Sequence, residues 1–351
     1  MFQLDQRINA LSQLGQQLNN LMEGYYKPQH AAVLTEEVMQ QAMRANPWFT
    51  EDNIHLMLRS VVAMLKPDEL TKIAKQYAIP ETNNQAKTLA VIMAGNVPLV
   101  GFQDFVHVLL CGHSFLGKLS HQDRFLLPAI AKMLIDIEPG FESFISFTDQ
   151  RISDFDAVIA TGSDNSGRYF DYYFGKYPHV IRRNRHGVAI LNGNESDEAL
   201  HQLGLDIFSY FGLGCRNVST LFVPKDYNFE RLLQSFEAYS KVADHTKYFN
   251  NYEYYKAIFL VNGVQHYDSG FVLLKAAEDF GSPVAVLHYQ QYEDEGILNE
   301  VIALNKDKIQ CTVSDKAWYS NSYPFGKAQF PALTDYADGI DTIAFLLRLN
   351  G

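Results

Sequence analysis

From Leu89 to Ser314 one pattern repeats: short apolar runs alternate with longer helical stretches, and several of the runs close on Gly, Asn or Ser. TLAVIMAGNVP, SFLGKLS, FISF and FDAVIATGS read as strands with their loops, while FQDFVHVLLCG, RFLLPAIAKML and an aromatic stretch over 167–177 read as helices. A second series opens at VAIL (188–191). It continues through a helix over 196–211, STLFVP, a further helix, then AIFLV, PVAVLHY and IQCTVS as strands. Strands joined by crossover helices pair in parallel, and such sheets hold their ligands in the loops at the carboxyl ends of the strands. The alternation therefore predicts an α/β fold.

The first eighty or so residues have a different texture. Leu4, Ile8, Leu11, Leu14, Leu18 and Leu21 recur at helical spacing, Thr35 stands as an N-cap before TEEVMQQAMRAN, and DNIHLMLRSVVAML carries another apolar stripe before Lys66-Pro67. With 351 residues, more than one domain is expected. The basic group Arg182-Arg183-Asn184-Arg185-His186 lies where the first α/β series stops, and a boundary is placed near residue 187. Residues 1–187 would then form one domain, 188–325 a second, and 326–351 a segment that packs back or meets another subunit. Arg182, Arg183 and Arg185 either meet the phosphates of a ligand or face solvent, and a solvated face is the commoner case.

A net charge of −11 disfavours nucleic acid as a partner, because phosphate binding needs a positive surface. No apolar run reaches the roughly 18–20 residues of a spanning helix, and the first residues lack the basic and apolar regions of an export signal. A cytoplasmic protein is expected. Three widely spaced cysteines, Cys111, Cys215 and Cys311, suit neither a disulfide framework nor a CxxC metal site. His107, Cys111 and His113 place at most two ligands on one helix face, so no metal is assigned.

Three loops could carry chemistry. Ala94-Gly95-Asn96-Val97-Pro98 joins a strand to a helix and is equally an ordinary turn with Asn as cap. Thr161-Gly162-Ser163-Asp164-Asn165-Ser166-Gly167 suits a phosphate or a ribose at a helix amino end, as many α/β turns do. Gly212-Leu213-Gly214-Cys215 sets a thiol beside two glycines, ahead of an apolar strand. On these residues alone Cys215 is as well read as a packed small hydrophobe as a nucleophile.

Taken in order, the motifs resemble the aldehyde dehydrogenase superfamily, and within it the acyl-CoA reductases related to the fatty-acyl reductase of bacterial bioluminescence. Asn96-Val97-Pro98 is similar to the Asn-Phe-Pro loop whose amide helps form the oxyanion hole. Lys118-Leu119-Ser120-His121 is similar to the Lys-Pro-Ser-Glu segment at the adenosine ribose. Thr161-Gly162-Ser163 with Gly167 resembles the Thr-Gly-Ser-xxx-Gly loop near the nicotinamide. Gly212-Leu213-Gly214-Cys215 falls on Gly-Gln-x-Cys, and Glu278-Asp279-Phe280-Gly281-Ser282-Pro283-Val284 on Glu-x-Phe-Gly-Pro-Val with one residue inserted. Pro324-Phe325-Gly326 resembles a late Pro-Phe-Gly-Gly turn.

The resemblance implies a Rossmann-like cofactor domain, an α/β catalytic domain and an N-terminal helical segment. It implies Cys215 as nucleophile and Asn96 at the oxyanion. Lys118, His121, Thr161, Gly162, Ser163, Gly167, Glu278 and Phe280 would bind the cofactor. Where hydrolytic members carry a water-activating Glu, this chain has Arg185-His186-Gly187, which favours reduction of an acyl thioester over release of a free acid. His121 stands where NAD-selective members carry Glu, so NADPH is expected, with NADH the alternative. Acyl-CoA or a carrier-bound acyl group would be the substrate; an acyl-activating synthetase and a homo-oligomer are further implications of the resemblance. The rival readings are an aldehyde dehydrogenase or acyl-phosphate reductase of the same superfamily, or a non-catalytic acyl-carrying subunit.

Overall fold

A computed structural model describes residues 3–24, 34–162 and 164–350. Four helices open the chain: α1 (Leu4–Met22), α2 (Glu36–Ala45), α3 (Glu51–Met64) and α4 (Pro67–Gln76). Each begins where local chemistry provides for unpaired N–H groups. Thr35 Oγ1 accepts the Val38 N–H and Thr50 Oγ1 the Asn53 N–H, both at 3.2 Å, while α4 starts on Pro67, which has no N–H to satisfy. Leu4, Ile8, Leu11, Leu14 and Leu18 are buried along one face of α1, the stripe expected from their spacing.

The next elements are β1 (Thr88–Ile92), α5 (Phe102–Leu110), β2 (Ser114–Lys118), α6 (Leu126–Ile137), β3 (Ile145–Thr148), β4 (Ala157–Thr161), α7 (Asp164–Phe174) and β5 (His179–Arg182). They form a five-stranded sheet in the order β3-β2-β1-β4-β5, parallel throughout. From β1 the chain steps outward through β2 to β3, then returns to lay β4 on the other side of β1. That reversal splays the loops after β1 and β4 apart at their carboxyl ends, the position where doubly wound sheets take ligands.

The strands and helices that follow are β6 (His186–Ile190), α8 (Asp197–Phe208), β7 (Val218–Pro224), α9 (Phe229–Ser235), α10 (Thr246–Val261), β8 (Tyr267–Asp268), β9 (Leu273–Ala276), β10 (Val286–Tyr292), α11 (Glu295–Leu304), β11 (Ile309–Ser314) and β12 (Tyr323–Pro324). Their sheet runs β12-β11-β6-β7-β10-β9-β8; only the β8–β9 pair is antiparallel. One helix, α12 (Thr342–Arg348), ends the chain. By contact the chain divides into one unit of residues 1–183 with 331–351 and another of residues 184–330.

Two local readings are corrected. AIFLV (257–261), expected as a strand, is the last turn and a half of α10, and the strand of this region is β9. Buried Tyr248, Tyr252 and Phe259 stand at helical spacing, whereas Leu260 and Val261 are exposed. A five-residue apolar run carries no period of its own, so its neighbours decide. Arg182, expected in a solvated loop, ends β5 and is 5% exposed. Its two terminal nitrogens pair with both Asp104 oxygens at 2.6 and 2.7 Å, and Nη2 also donates to Thr342 Oγ1 at 2.9 Å, tying β5 to α5 and α12. Arg183 is exposed and pairs with Asp171, while half-buried Arg185 donates to the Lys306 carbonyl.

Candidate active site

Cys215 is exposed, whereas Cys111 and Cys311 are buried; burial pushes the Cys111 thiol up to about 12. The exposed thiol sits on a loop built by its neighbours. After α8 the backbone turns through three consecutive left-handed residues, Tyr210 (φ 52°), Phe211 (φ 57°) and Gly212 (φ 76°). For a residue with a Cβ this conformation costs about 1–2 kcal/mol, so something must hold Tyr210 and Phe211 there. Part of the answer is burial: both rings are under 10% exposed, and Phe211 packs on His245 at 4.5 Å between ring centres.

The rest is Asn217, two residues past the thiol and 2% exposed. Its amide nitrogen donates to the Asp206 and Ser209 carbonyls at 3.0 and 2.8 Å, with the Ile207 carbonyl at 3.4 Å, covering acceptors that the end of α8 leaves open. Its Oδ1 accepts the Gly214 N–H at 2.8 Å, and its own N–H closes the turn on the Gly214 carbonyl at 3.0 Å. One side chain thus fixes both arms of the Cys215 loop. Gly187 of β6 lets that loop lie close: a Cβ there would meet the Arg216 and Asn217 carbonyl oxygens at 2.7 and 2.6 Å. Arg216 Nε donates to the Ala328 carbonyl, and its guanidinium lies 4.8 Å from the centre of the Tyr323 ring.

Asp206, inside α8, carries the other half of this frame. Its carboxylate accepts the Gly326 and Ala328 N–H groups at 2.7 and 2.9 Å and so fastens the Pro324-Phe325-Gly326 turn. Burial pushes the carboxyl up to about 7 against the pull of those two donors. In the same unit the 278–281 segment is pinned by its backbone. Ser219 and Thr220 hydroxyls donate to the Phe280 carbonyl at 2.6 and 2.9 Å, His288 Nδ1 meets the Asp279 carbonyl, and Gln290 donates to the Glu278 carbonyl. The Glu278 side chain is left exposed. The Phe280 ring is 5% exposed and packs on Phe222, so it faces the core in this conformation. His186 opens β6 with its imidazole against Gly281.

In the other unit, Asn96 lies in the loop after β1, Thr161 ends β4 and Gly162 follows it, at the reversal of strand order, and Gly167 lies in α7. Asn96 is exposed and is not the cap of α5, whose N-cap is Gly101. Gly167 has no steric need to be glycine, a Cβ there being 3.6 Å from the Arg183 side chain. Ser163 lies outside the described residues. Lys118 ends β2 with Nζ donating to the Asp149 carbonyl, and His121 is exposed beyond it. A shallow groove beside them is lined by Leu119, Arg124, Phe147, Thr148, Asp149 and Gln150. A parallel sheet with this reversal, a helix starting just after Gly162 and cationic groups at the end of β2 are features that fit a dinucleotide.

The sequence matches the model of the family described as Acyl-CoA reductase (LuxC) over residues 2–235. The chain belongs to the acyl-CoA reductase family. The match takes in Asn96, Lys118, His121, residues 161–167 and Cys215, and stops short of Glu278. Among solved structures, an aldehyde dehydrogenase of Mycobacterium tuberculosis complexed with NAD+ superposes with a TM-score of 0.62 at 14% identity, covering 89% of this chain and 73% of that one. Aldehyde dehydrogenase 21 from Physcomitrella patens, in complex with succinate, gives 0.61 at 14% identity, with 90% and 73% covered. An NADP-dependent glyceraldehyde-3-phosphate dehydrogenase from Bacillus halodurans complexed with NADP gives 0.59 at 14% identity, with 89% and 73% covered. The acyl-CoA reductase chain thus has the aldehyde dehydrogenase fold. Among curated proteins no match is found.

Asn217, Asp206 and Asp123, which frame the loops of this family member, were not legible as functional. Asp206 is a lone polar residue in the apolar stretch LGLDIF, and that break in pattern is its one sign; Asn217 follows Arg216 and Asp123 sits in the polar run SHQDR, where neither stands out. The histidines weighed above as metal ligands serve the C-terminal segment instead. His107 Nε2 meets the Leu333 carbonyl at 2.8 Å and His113 Nε2 the Leu346 carbonyl at 3.1 Å. Burial lowers both, His107 to about 4. Among the described residues no group of three or more His, Cys, Asp or Glu could hold a metal ion, and no helix is long and apolar enough to cross a membrane.

Proposed function

We propose that this chain reduces an acyl thioester to an aldehyde through an acyl group carried on Cys215. The observation that carries the reading is the thiol itself: exposed, on a strained loop held by buried Asn217, within the residues that match the family. The Cys215 thiolate attacks the thioester carbonyl, a C–S bond to the enzyme forms, and the departing thiol takes the proton that Cys215 gave up. The resemblance assigns to the Asn96 amide the oxygen that becomes negative in that step, a role whose loss costs about 10²–10³ in rate. A nicotinamide cofactor, when bound, supplies the hydride. Collapse of the resulting hemithioacetal breaks the C–S bond and returns Cys215.

Arg185 and His186 at the place of a general base leave water without an activating carboxylate, so the enzyme thioester persists long enough to be reduced. We assign Lys118, His121, Thr161, Gly162, Ser163 and Gly167 to the cofactor, with Glu278 at its nicotinamide ribose. Lys118, His121 and Arg124 at the end of β2 favour the extra phosphate of NADPH. The acyl donor would be CoA or a carrier charged by an acyl-activating synthetase. The assay compares acyl-CoA, acyl phosphate and aldehyde in wild type and Cys215→Ala, with each cofactor. Acyl-CoA reduction that vanishes in Cys215→Ala is the expected result. Turnover of acyl phosphate alone, or unchanged turnover in the variant, overturns the reading. His121→Glu should shift preference toward NADH by roughly fivefold to tenfold, read from the ratio of kcat/KM values.

A further inference from the structure

Asp123 belongs to none of the motifs, yet it joins two of them. The residue is 8% exposed, and its Oδ2 accepts the N–H of Leu99 at 2.6 Å. Leu99, three residues past Asn96, is left-handed (φ 58°), a conformation its side chain disfavours. The turn that bears Asp123 is closed by its N–H on the Ser120 carbonyl at 3.2 Å, just after Lys118 and alongside His121. The contact is tight because residue 95 is glycine; a Cβ there would stand 2.5 Å from Ser120 Oγ and 2.9 Å from Gln122 Cβ. On the other flank Asn46 Nδ2 donates to the Gly95 carbonyl at 2.8 Å. The Asn96 loop is thereby held from both sides.

The chemistry of the site argues for more than packing. Asp123 Oδ1 is buried without a hydrogen-bond partner, and burial pushes the carboxyl up to about 7 although the Leu99 N–H pulls it down. A half-satisfied buried carboxyl is a costly way to stabilise a fold; an apolar side chain of that size would serve better. What an apolar side chain lacks is an acceptor for Leu99.

We propose that Asp123 is a positioning residue, a latch that holds the Asn96 loop to the Lys118–His121 turn through the Leu99 N–H. Its effect on the reaction rests on the oxyanion role assigned to Asn96. The experiment compares wild type, Asp123→Ala, Asp123→Asn, Asn96→Ala and the Asp123→Ala/Asn96→Ala double variant. Two readouts are taken on the full chain: hydrogen exchange of residues 94–101, and the rate of thiol release from acyl-CoA. In Asp123→Ala, exchange of that segment should quicken about tenfold and thiol release fall by about 10–100-fold. Asp123→Asn, which keeps an oxygen for Leu99, should stay within about threefold of wild type. The double variant should release thiol no more slowly than Asn96→Ala. Should Asp123→Ala fail to fold, Asp123→Ser, one bond too short to reach Leu99, takes its place. Unchanged exchange without the carboxyl overturns the latch, and so does an equal loss of rate with and without Asn96. If Asn96→Ala alone leaves thiol release unchanged, the oxyanion assignment fails, and the exchange of residues 94–101 still decides the latch by itself.

Discussion

Asn217 shows how one buried amide can set the geometry of a loop. Its bonds to the Asp206, Ser209 and Gly214 backbones hold the turn that presents Cys215. Asn217→Ala would strand two carbonyls and one N–H, each worth about 1–3 kcal/mol when left unpaired in the interior. We expect a loss of about 2 kcal/mol or more in urea denaturation, with slower acylation of Cys215 even where the variant is fully folded. Asn217→Asp keeps the acceptor for Gly214 but turns a carboxylate onto the two carbonyls, and should acylate as poorly as the alanine variant. Equal acylation rates in wild type and both variants would remove Asn217 from the account of this loop.

Among the elements, β5 depends on a buried ion pair as much as on its strand partner β4. Arg182 meets Asp104 through two bonds and Thr342 through a third, so α5, β5 and α12 share one polar junction. Arg182→Ala leaves the Asp104 carboxylate buried and alone, and should lower stability by about 3–5 kcal/mol; Arg182→Lys, a single point charge for a forked pair, should restore part of it. Chemical denaturation of the three proteins reads this directly. The junction also marks where sequence reading ran out. Arg182-Arg183-Asn184-Arg185 gives no local sign that its first member turns inward, because the partner lies 78 residues earlier. AIFLV failed for the complementary reason: five apolar residues fit a strand or a helix end, and the aromatic run before them decided for α10. The strands on either side of the glycine loops were legible because their pattern is local. So was the bend ahead of Cys215, which Gly212 and Gly214 mark in the sequence itself. The bonds that hold those loops come from residues far along the chain, and no spacing rule reaches them.

For the whole molecule, family membership and fold together point to an oxidoreductase, and stability should carry the mark of its buried carboxyls. Asp123 lies well above its ordinary 3.8, at about 7. A carboxyl raised in the folded state contributes fully below its unfolded value, and that contribution is lost as pH rises through the folded one. Wild type should therefore lose melting temperature relative to Asp123→Asn between about pH 4 and pH 7, and the gap should be constant above pH 8. Paired thermal melts across that range check the sign. The most direct test of the central claim is mass spectrometry of the protein mixed with acyl-CoA and no reductant. One added acyl group, mapped to the peptide bearing Cys215 and absent in Cys215→Ala, is the predicted result; no adduct on the wild type, or one carried by any other residue, would contradict it.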